Sequence, residues 1–301
     1  MSMNQVWPGR EDQVGYHHID NLYKAQEILM FRRCWALEKV HGTSAHVLWQ
    51  DGRLSFFAGG ADHETFVGLF DQDQLRDAFQ AMGHPRIGVY GEAYGSRDLG
   101  MARTYGPDLR FATFDIQVGD VWLAVPNMVD VAGKLGLEVV PCQETSTDLE
   151  ALDALRDAPS EVAARLGTGV WPREGIVLRP LIELRKNNGD RIMAKHKAHR
   201  YSERKTEQAV TDLDRLAVLS DATAIADEWV TDMRLTHVLG RLPAVTIRDM
   251  ELVVTAMVED VYREAVGEIV PSKAVRSAIG RKTVELFRAR YGAQKGNTDA
   301  R

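Results

Sequence analysis

Between about residues 37 and 197, apolar residues come in short runs that alternate with polar ones and are broken by turn dipeptides, the pattern of strands. Ala45-His-Val-Leu-Trp-Gln50 and Arg53-Leu-Ser-Phe-Phe57 flank Asp51-Gly52. That dipeptide suits a two-residue hairpin turn, which needs positive φ at both central positions. Ile176 to Pro180 and Arg191 to Lys197 flank Asn187-Asn-Gly-Asp190, a second hairpin-like pair, and Arg86 to Tyr90 and Leu109 to Ile116 read as further strands. Helices here are interruptions, at roughly 62–82, 126–137 and 147–166.

After about Tyr201 the spacing becomes helical, as in Leu213, Leu216, Ala217 and Ser220, or Leu252, Val253, Ala256 and Met257, with Pro243 and Pro271 as punctuation. The pattern predicts an α+β fold: a domain of antiparallel sheets with flanking helices over residues 1–204, then a small all-α domain over 205–301. A chain of 301 residues is long enough for two such cores. The last helix, from Lys273 to Tyr291, carries Lys273, Arg276, Arg281, Lys282, Arg288 and Arg290.

At 45% apolar and 27% charged residues the composition is that of a soluble globular protein. No apolar run is long enough to span a bilayer, and the start MSMNQVWPGRED lacks the apolar core of a signal peptide, so a cytoplasmic protein without a membrane partner is expected. Cys34 and Cys142 have no Cys or His company and are expected to be buried thiols. A net charge of −6 argues against indiscriminate coating of nucleic acid. The charge is uneven, however. Arg185, Lys186, Arg191, Lys195, Lys197, Arg200, Arg204 and Lys205 face only Asp190 and Glu203 within their stretch, while residues 144–161 are acidic. Local basic charge suits a phosphate-binding groove or a solvated face.

Lys39, in Glu38-Lys-Val-His-Gly42, is a candidate covalent nucleophile. A lysine can attack only as the free amine, and Gly42 would let the backbone approach a phosphate. Lys-x-x-Gly arises about once by chance in a chain of this composition, and Lys186-Asn-Asn-Gly189 is a second match with the look of a hairpin turn. Glu92, after a strand and beside glycines, could accept hydrogen bonds from ribose hydroxyls, or be a surface glutamate. Phe114 could offer a flat face to a purine, or pack in a core. Glu174 opens a strand where a carboxylate could hold a metal-bound water. Lys195 and Lys197, two apart on a strand, project from one face toward a common phosphate chain, and their charge would favour a neutral neighbouring amine.

Taken in order, these segments resemble the RNA ligase 2 family of the covalent nucleotidyltransferase superfamily. Glu38-Lys39-Val40-His41-Gly42-Thr43, Tyr90-Gly91-Glu92-Ala93-Tyr94-Gly95, Phe111-Ala-Thr-Phe114-Asp115-Ile116, Glu174-Gly175-Ile176-Val177 and Lys195-His196-Lys197 match five of its six ordered elements. The order selects Lys39 over Lys186, which lies too close to Lys195 to have this set downstream. One element departs: Phe56-Phe-Ala-Gly-Gly-Ala61 has glycines where the family has a basic residue, and either backbone amides or Arg53 would have to serve there.

The resemblance implies an ATP-grasp-like ligase fold and an ATP-dependent RNA ligase that uses Mg²⁺ or Mn²⁺. Lys39 would be the nucleophile and Lys195 and Lys197 its catalytic partners. Glu38, His41, Gly42, Glu92, Phe114 and Glu174 would bind the nucleotide, with Glu174 on the metal through water. The partners would be ATP and RNA bearing 5′-phosphate and 3′-hydroxyl ends. A monomer of phage or bacterial origin, acting in RNA repair, is expected, with the helical C-terminus serving the steps after lysine adenylylation. A DNA ligase or a capping guanylyltransferase shares the nucleophile, but those usually append an oligonucleotide-binding barrel. An inactive protein that binds nucleic-acid ends is the alternative of a different class.

Overall fold

The computed structural model describes residues 16–202 and 221–298, with side chains described as far as residue 290. The helical pattern at Leu213 to Ser220, the cations Arg204 and Lys205, and the expected boundary at 204/205 lie outside the described residues. The chain divides into two compact units: residues 1–19 with 27–196, and residues 20–26 with 197–301.

The first unit holds two sheets. One has the order β7-β1-β8-β9, from β1 (Arg33–Lys39), β7 (Cys142–Ser146), β8 (Gly175–Pro180) and β9 (Ala194–Lys197). The other has the order β3-β2-β4-β5-β6, from β2 (Gly42–Gln50), β3 (Arg53–Phe57), β4 (Arg86–Gly95), β5 (Leu109–Val118) and β6 (Val121–Trp122), antiparallel throughout. The β2–β3 hairpin closes through Asp51 (φ 48°) and Gly52 (φ 83°), the two positive φ values its turn type demands. Around Asn187-Asn-Gly-Asp190 the ladder is much shorter than the sequence suggests. Only the Arg185–Arg191 bridge lies between the turn and the ends of β8 and β9.

Strand alternation separates two faces of the five-stranded sheet. Val47 pairs with Val89 and Trp49 with Ile87, and all four are buried in the core, where Phe79 stacks on Trp49 with ring centroids 5.7 Å apart. Helices α1 (His63–Val67), α2 (Gln72–Met82), α3 (Ala102–Tyr105) and α4 (Val125–Lys134) contribute Phe66, Phe79, Tyr105 and Met128 to this core. The single helix expected over 62–82 is divided because Asp71 caps α2, accepting hydrogen bonds from the Asp73 and Gln74 amides. The one expected over 147–166 splits in the same way at Pro159-Ser160, into α5 (Leu149–Asp157) and α6 (Glu161–Arg165). Cys34 is buried as expected, whereas Cys142 is only partly so; both are free thiols.

A buried ionic cluster ties the two sheets together. Asp115 on β5 accepts from Arg179 on β8 (3.1 Å), from Arg191 (2.5 Å) and from the Tyr16 hydroxyl (2.5 Å). Glu183 bonds both arginines, and Arg191 lies 4.4 Å from the Trp122 ring centroid. Part of the basic stretch seen in the sequence is therefore interior, with Arg191 a core residue.

In the second unit, α7 (Ala222–Trp229), α8 (Asp232–Gly240), α9 (Met250–Glu264) and α10 (Lys273–Thr298) enclose a core that includes Ile225, Trp229, Leu235, Met257, Ile279 and Phe287. Arg234 is buried against Asp260 (2.5 Å) and the Trp229 carbonyl (2.8 Å). Residues 20–26 join this unit through Lys24 and Tyr23, both on Glu268 (2.7 and 3.0 Å). Among the described residues no helix is long and apolar enough to cross a membrane.

Removing the Asp115 carboxylate would leave two guanidinium groups under-compensated in the interior, the costly way to break a buried ion cluster. Asp115→Ala is expected to destabilise the sheet-containing unit by about 3 to 5 kcal/mol, measured as a lower urea midpoint in tryptophan fluorescence. A midpoint within experimental error of wild type would mean the cluster does not hold the sheets.

Candidate active site

Lys39 is the last residue of β1, and Val40-His41 carry the chain directly from the four-stranded sheet into β2 of the five-stranded one. Antiparallel pairing places Lys39 opposite Gly175, which brings Glu174 beside it. Lys39 Nζ lies 3.0 Å from Glu174 Oε1, and His41 Nδ1 lies 3.2 Å from Glu174 Oε2. The side chain of Lys39 is 23% exposed against 1% for Glu174, so in this pair the amine is the group an incoming molecule can reach.

The five-stranded sheet supplies the opposite wall. Glu92 on β4 pairs with Ser44 on β2, and its carboxylate accepts a hydrogen bond from the Gly42 amide. Burial pushes the Glu92 carboxyl up to about 7; the Lys39 charge works against this and the nearby Glu174 carboxylate adds to it. A Cβ on Gly42 would sit 2.2 Å from the Ala93 carbonyl oxygen, so glycine is required there by strand packing. The amine is thus flanked by two carboxylates with fixed backbones.

On the same face as Ser44 and Glu92 lie aromatic rings. His46 pairs with both Tyr90 and Phe57 and stacks on Phe57 (5.0 Å, 18°). Phe114 is the extra residue of a β-bulge, since Asp115 faces Tyr90 and Thr113 faces Gly91. The bulge breaks the simple alternation of Phe114 with Ala112 and re-aims its ring, a device found near binding sites. Tyr16 meets that ring edge-on (4.9 Å), contacts Tyr90 (5.4 Å), and donates its own amide to Ser44 Oγ (3.3 Å).

On β9, His196 turns toward α5, where its Nε2 lies 2.6 Å from Asp153 Oδ1. Alternation then puts Lys195 and Lys197 on the other side of the strand. Lys195 is buried and Lys197 partly so; Lys197 falls within the second unit.

The family model described as RNA ligase matches residues 32–197, which is 166 of the 301 residues and spans every strand named above. The chain belongs to the RNA ligase family. No curated protein matches the sequence. Solved structures similar to this RNA ligase family member include those of a Naegleria gruberi RNA ligase. A lysine-to-alanine variant with ATP and Mn matches at 15% identity and TM-score 0.48, over 64% of this chain and 58% of that one. The same enzyme with PPi matches at 15% and 0.49, over 62% and 57%, and a lysine-to-methionine variant with AMP and Mn at 15% and 0.48, over 64% and 57%. The chain thus covers less than three-fifths of the length of those ligases.

Within this RNA ligase family member, the structure brings Lys39, His41, Gly42, Glu92 and Glu174 together, and places other expected residues elsewhere. Glu38, expected to bind nucleotide, alternates to the other side of β1 and accepts from Ser160 Oγ (2.5 Å) and the Glu161 amide (2.8 Å), so its carboxylate caps the start of α6. Burial holds its pKa above the ordinary glutamate value. Arg53 pairs with Gln50, eight residues along β2 from Gly42, or about 26 Å at strand rise, too far to replace the absent basic residue. Nor is the Gly60 amide open to phosphate, since it donates to Thr43 Oγ1 (2.9 Å). Gly59 (φ 58°) lets that turn sit against the Ser44 carbonyl. Lys186 is a turn residue paired with Glu27 (2.6 Å). The sequence reading missed Tyr16, Ser44 and the His46–Phe57 stack. The stack follows from the Asp51-Gly52 turn, which fixes residue 46 opposite 57; nothing local signals Tyr16.

The raised pKa of Glu92 has a consequence for stability. The folded carboxyl keeps its proton to about pH 7, while an unfolded glutamate loses it near 4.5, so the folded state binds more protons in that window and stability falls as pH rises through it. His17, held down to about 4 by burial, acts oppositely as pH falls. The difference between wild type and Glu92→Gln isolates Glu92. Thermal melts from pH 4.5 to 7 should show E92Q gaining on wild type as pH rises; parallel curves would refute the raised pKa.

Proposed function

We propose that this chain is an ATP-dependent RNA ligase that joins 3′-hydroxyl and 5′-phosphate RNA ends, acting in RNA repair, with residues 1–204 as the adenylyltransferase domain and residues 205–301 as a helical domain. The reading rests on the Lys39 amine, partly exposed and held 3.0 Å from Glu174 within the family-matched span.

Lys39 Nζ, once deprotonated, attacks the α-phosphorus of ATP. A nitrogen–phosphorus bond forms, the bond to the bridging oxygen breaks, and pyrophosphate leaves with that electron pair. AMP then passes from Lys39 to a 5′-phosphate of RNA, and a neighbouring 3′-hydroxyl displaces it to close the phosphodiester. Glu174 and His41 hold the amine in line, and Lys195 and Lys197 stabilise charge gathering on phosphate oxygens. Glu92 accepts from ribose hydroxyls, and Phe114 offers its ring to adenine on the face shared with Ser44, His46 and Tyr90.

The residues fit a divalent cation of the Mg²⁺ or Mn²⁺ kind: the hard carboxylate of Glu174 lies close enough to Glu92 to raise the proton affinity of the Glu92 carboxyl, a repulsion a cation would relieve. Held at Glu174 through water, such an ion would supply charge neutralisation on the nucleotide phosphates.

Incubation with α-labelled ATP and Mg²⁺, followed by denaturing electrophoresis, is expected to leave label on wild type and to drop it to background in Lys39→Ala and Lys39→Arg. Label on either variant at the wild-type level would end the covalent mechanism. Sealing of 5′-phosphate nicks whose 3′-hydroxyl strand is RNA should exceed sealing of all-DNA nicks; equal rates would overturn the RNA assignment.

A further inference from the structure

In the second unit, α9 and α10 border a groove of about 590 Å³ whose lining includes Lys273, Arg276 and Arg281 from α10. The three are exposed. Lys273 stands on the row 273/277/280/284 that α10 turns to the groove, and Arg276 and Arg281 flank that row on either side. Among the described residues no acidic side chain lines the groove; its remaining lining is Ser277, with Val254, Gly280 and Val284 as an apolar floor. Gly280 allows the close approach of the two helices, because a Cβ there would lie 3.3 Å from Val254 Cγ1.

Several other cations of this unit sit on carboxylates. Arg234, Arg241 and Arg263 converge on Asp260, Lys282 pairs with Asp227, and Lys24 with Glu268. Among the described residues, Lys273, Arg276 and Arg281 make no ion pair. In a protein of net charge −6, unneutralised cations gathered beside one groove mark where a polyanion meets least repulsion.

We propose that this groove binds the phosphodiester backbone of an RNA strand, which rests on the ligase reading insofar as that strand carries the ends to be joined. From Lys273 to Arg281 the helix rises about 12 Å, the length of about three to four phosphates of one strand. The apolar floor receives sugar carbons while the guanidinium forks take phosphate oxygens in pairs. Such contacts carry no base information, so binding is sequence-independent.

The test uses the full chain and a fluorescent 5′-phosphorylated RNA oligonucleotide titrated across a salt series. The triple variant Lys273→Ala, Arg276→Ala, Arg281→Ala should bind at least about tenfold more weakly at low salt, with a log–log salt slope shallower by about 2, three lost contacts at about 0.7 each. Charge reversal at one position, Arg276→Glu, should weaken binding more than Arg276→Ala, and Lys282→Ala should change nothing. Inorganic phosphate at matched ionic strength should not displace the RNA. Wild-type affinity and slope in the triple variant, or displacement by inorganic phosphate, would overturn the proposal. Labelling from α-labelled ATP should be the same in the triple variant and wild type. Loss of labelling from both, with the RNA results as expected, would strike the ligase reading and leave the groove standing.

Discussion

The arrangement of the first unit depends on a single carboxylate. Asp115 is almost fully buried on the five-stranded sheet, and its ligands come from β8 of the other sheet, from Arg191 beyond it, and from Tyr16 near the start of the described chain. A lone buried carboxylate is expensive; two guanidinium groups and a hydroxyl make it tolerable, but only in one relative placement of the sheets. That placement matters for chemistry. Lys39 and Glu174 belong to or adjoin the four-stranded sheet, whereas Gly42, Glu92 and Phe114 belong to the five-stranded one. The cluster therefore fixes the distance between the candidate nucleophile Lys39 and the groups proposed to bind its substrate.

The candidate site places its lysine among carboxylates. Glu174 beside the amine holds it in place. Here the two carboxylates are not equivalent. Glu174 contacts both Lys39 and His41, while Glu92 keeps a proton to about pH 7. The environment thus limits how much negative charge surrounds the amine at neutral pH, and an arriving phosphate chain with its cation would redistribute that charge further.

Much of this was legible in the sequence. The Asp51-Gly52 hairpin, the strands carrying Glu92 and Phe114, and the position of Glu174 at the mouth of β8 follow from alternation and turn chemistry. What was not legible involves contacts between segments distant along the chain. Glu38 looks equivalent to its neighbour Lys39 in a motif, but a strand sends successive side chains to opposite sides, and only the fold shows α6 waiting on the other side. Arg191 reads as one more basic residue until Asp115, 76 positions earlier, is found against it. Tyr16 precedes every recognisable element, and its place beside Phe114 is set by tertiary contacts alone.

The glycines after β3, where the resemblance leads one to expect a basic residue, are likewise explained by distant contacts. Gly59 and Gly60 look like a phosphate-binding turn, since small residues free backbone amides for anions. In the fold their smallness serves packing: Gly59 presses on the Ser44 carbonyl and the Gly60 amide bonds Thr43. Ser44 is the cross-strand partner of Glu92 and the residue that receives the Tyr16 amide. The turn therefore supports the strand beneath the candidate nucleotide site. Glycine at 59 and 60 is thus explained by how the wall is built, and in the proposed mechanism the phosphate contacts fall to Lys195 and Lys197 of β9.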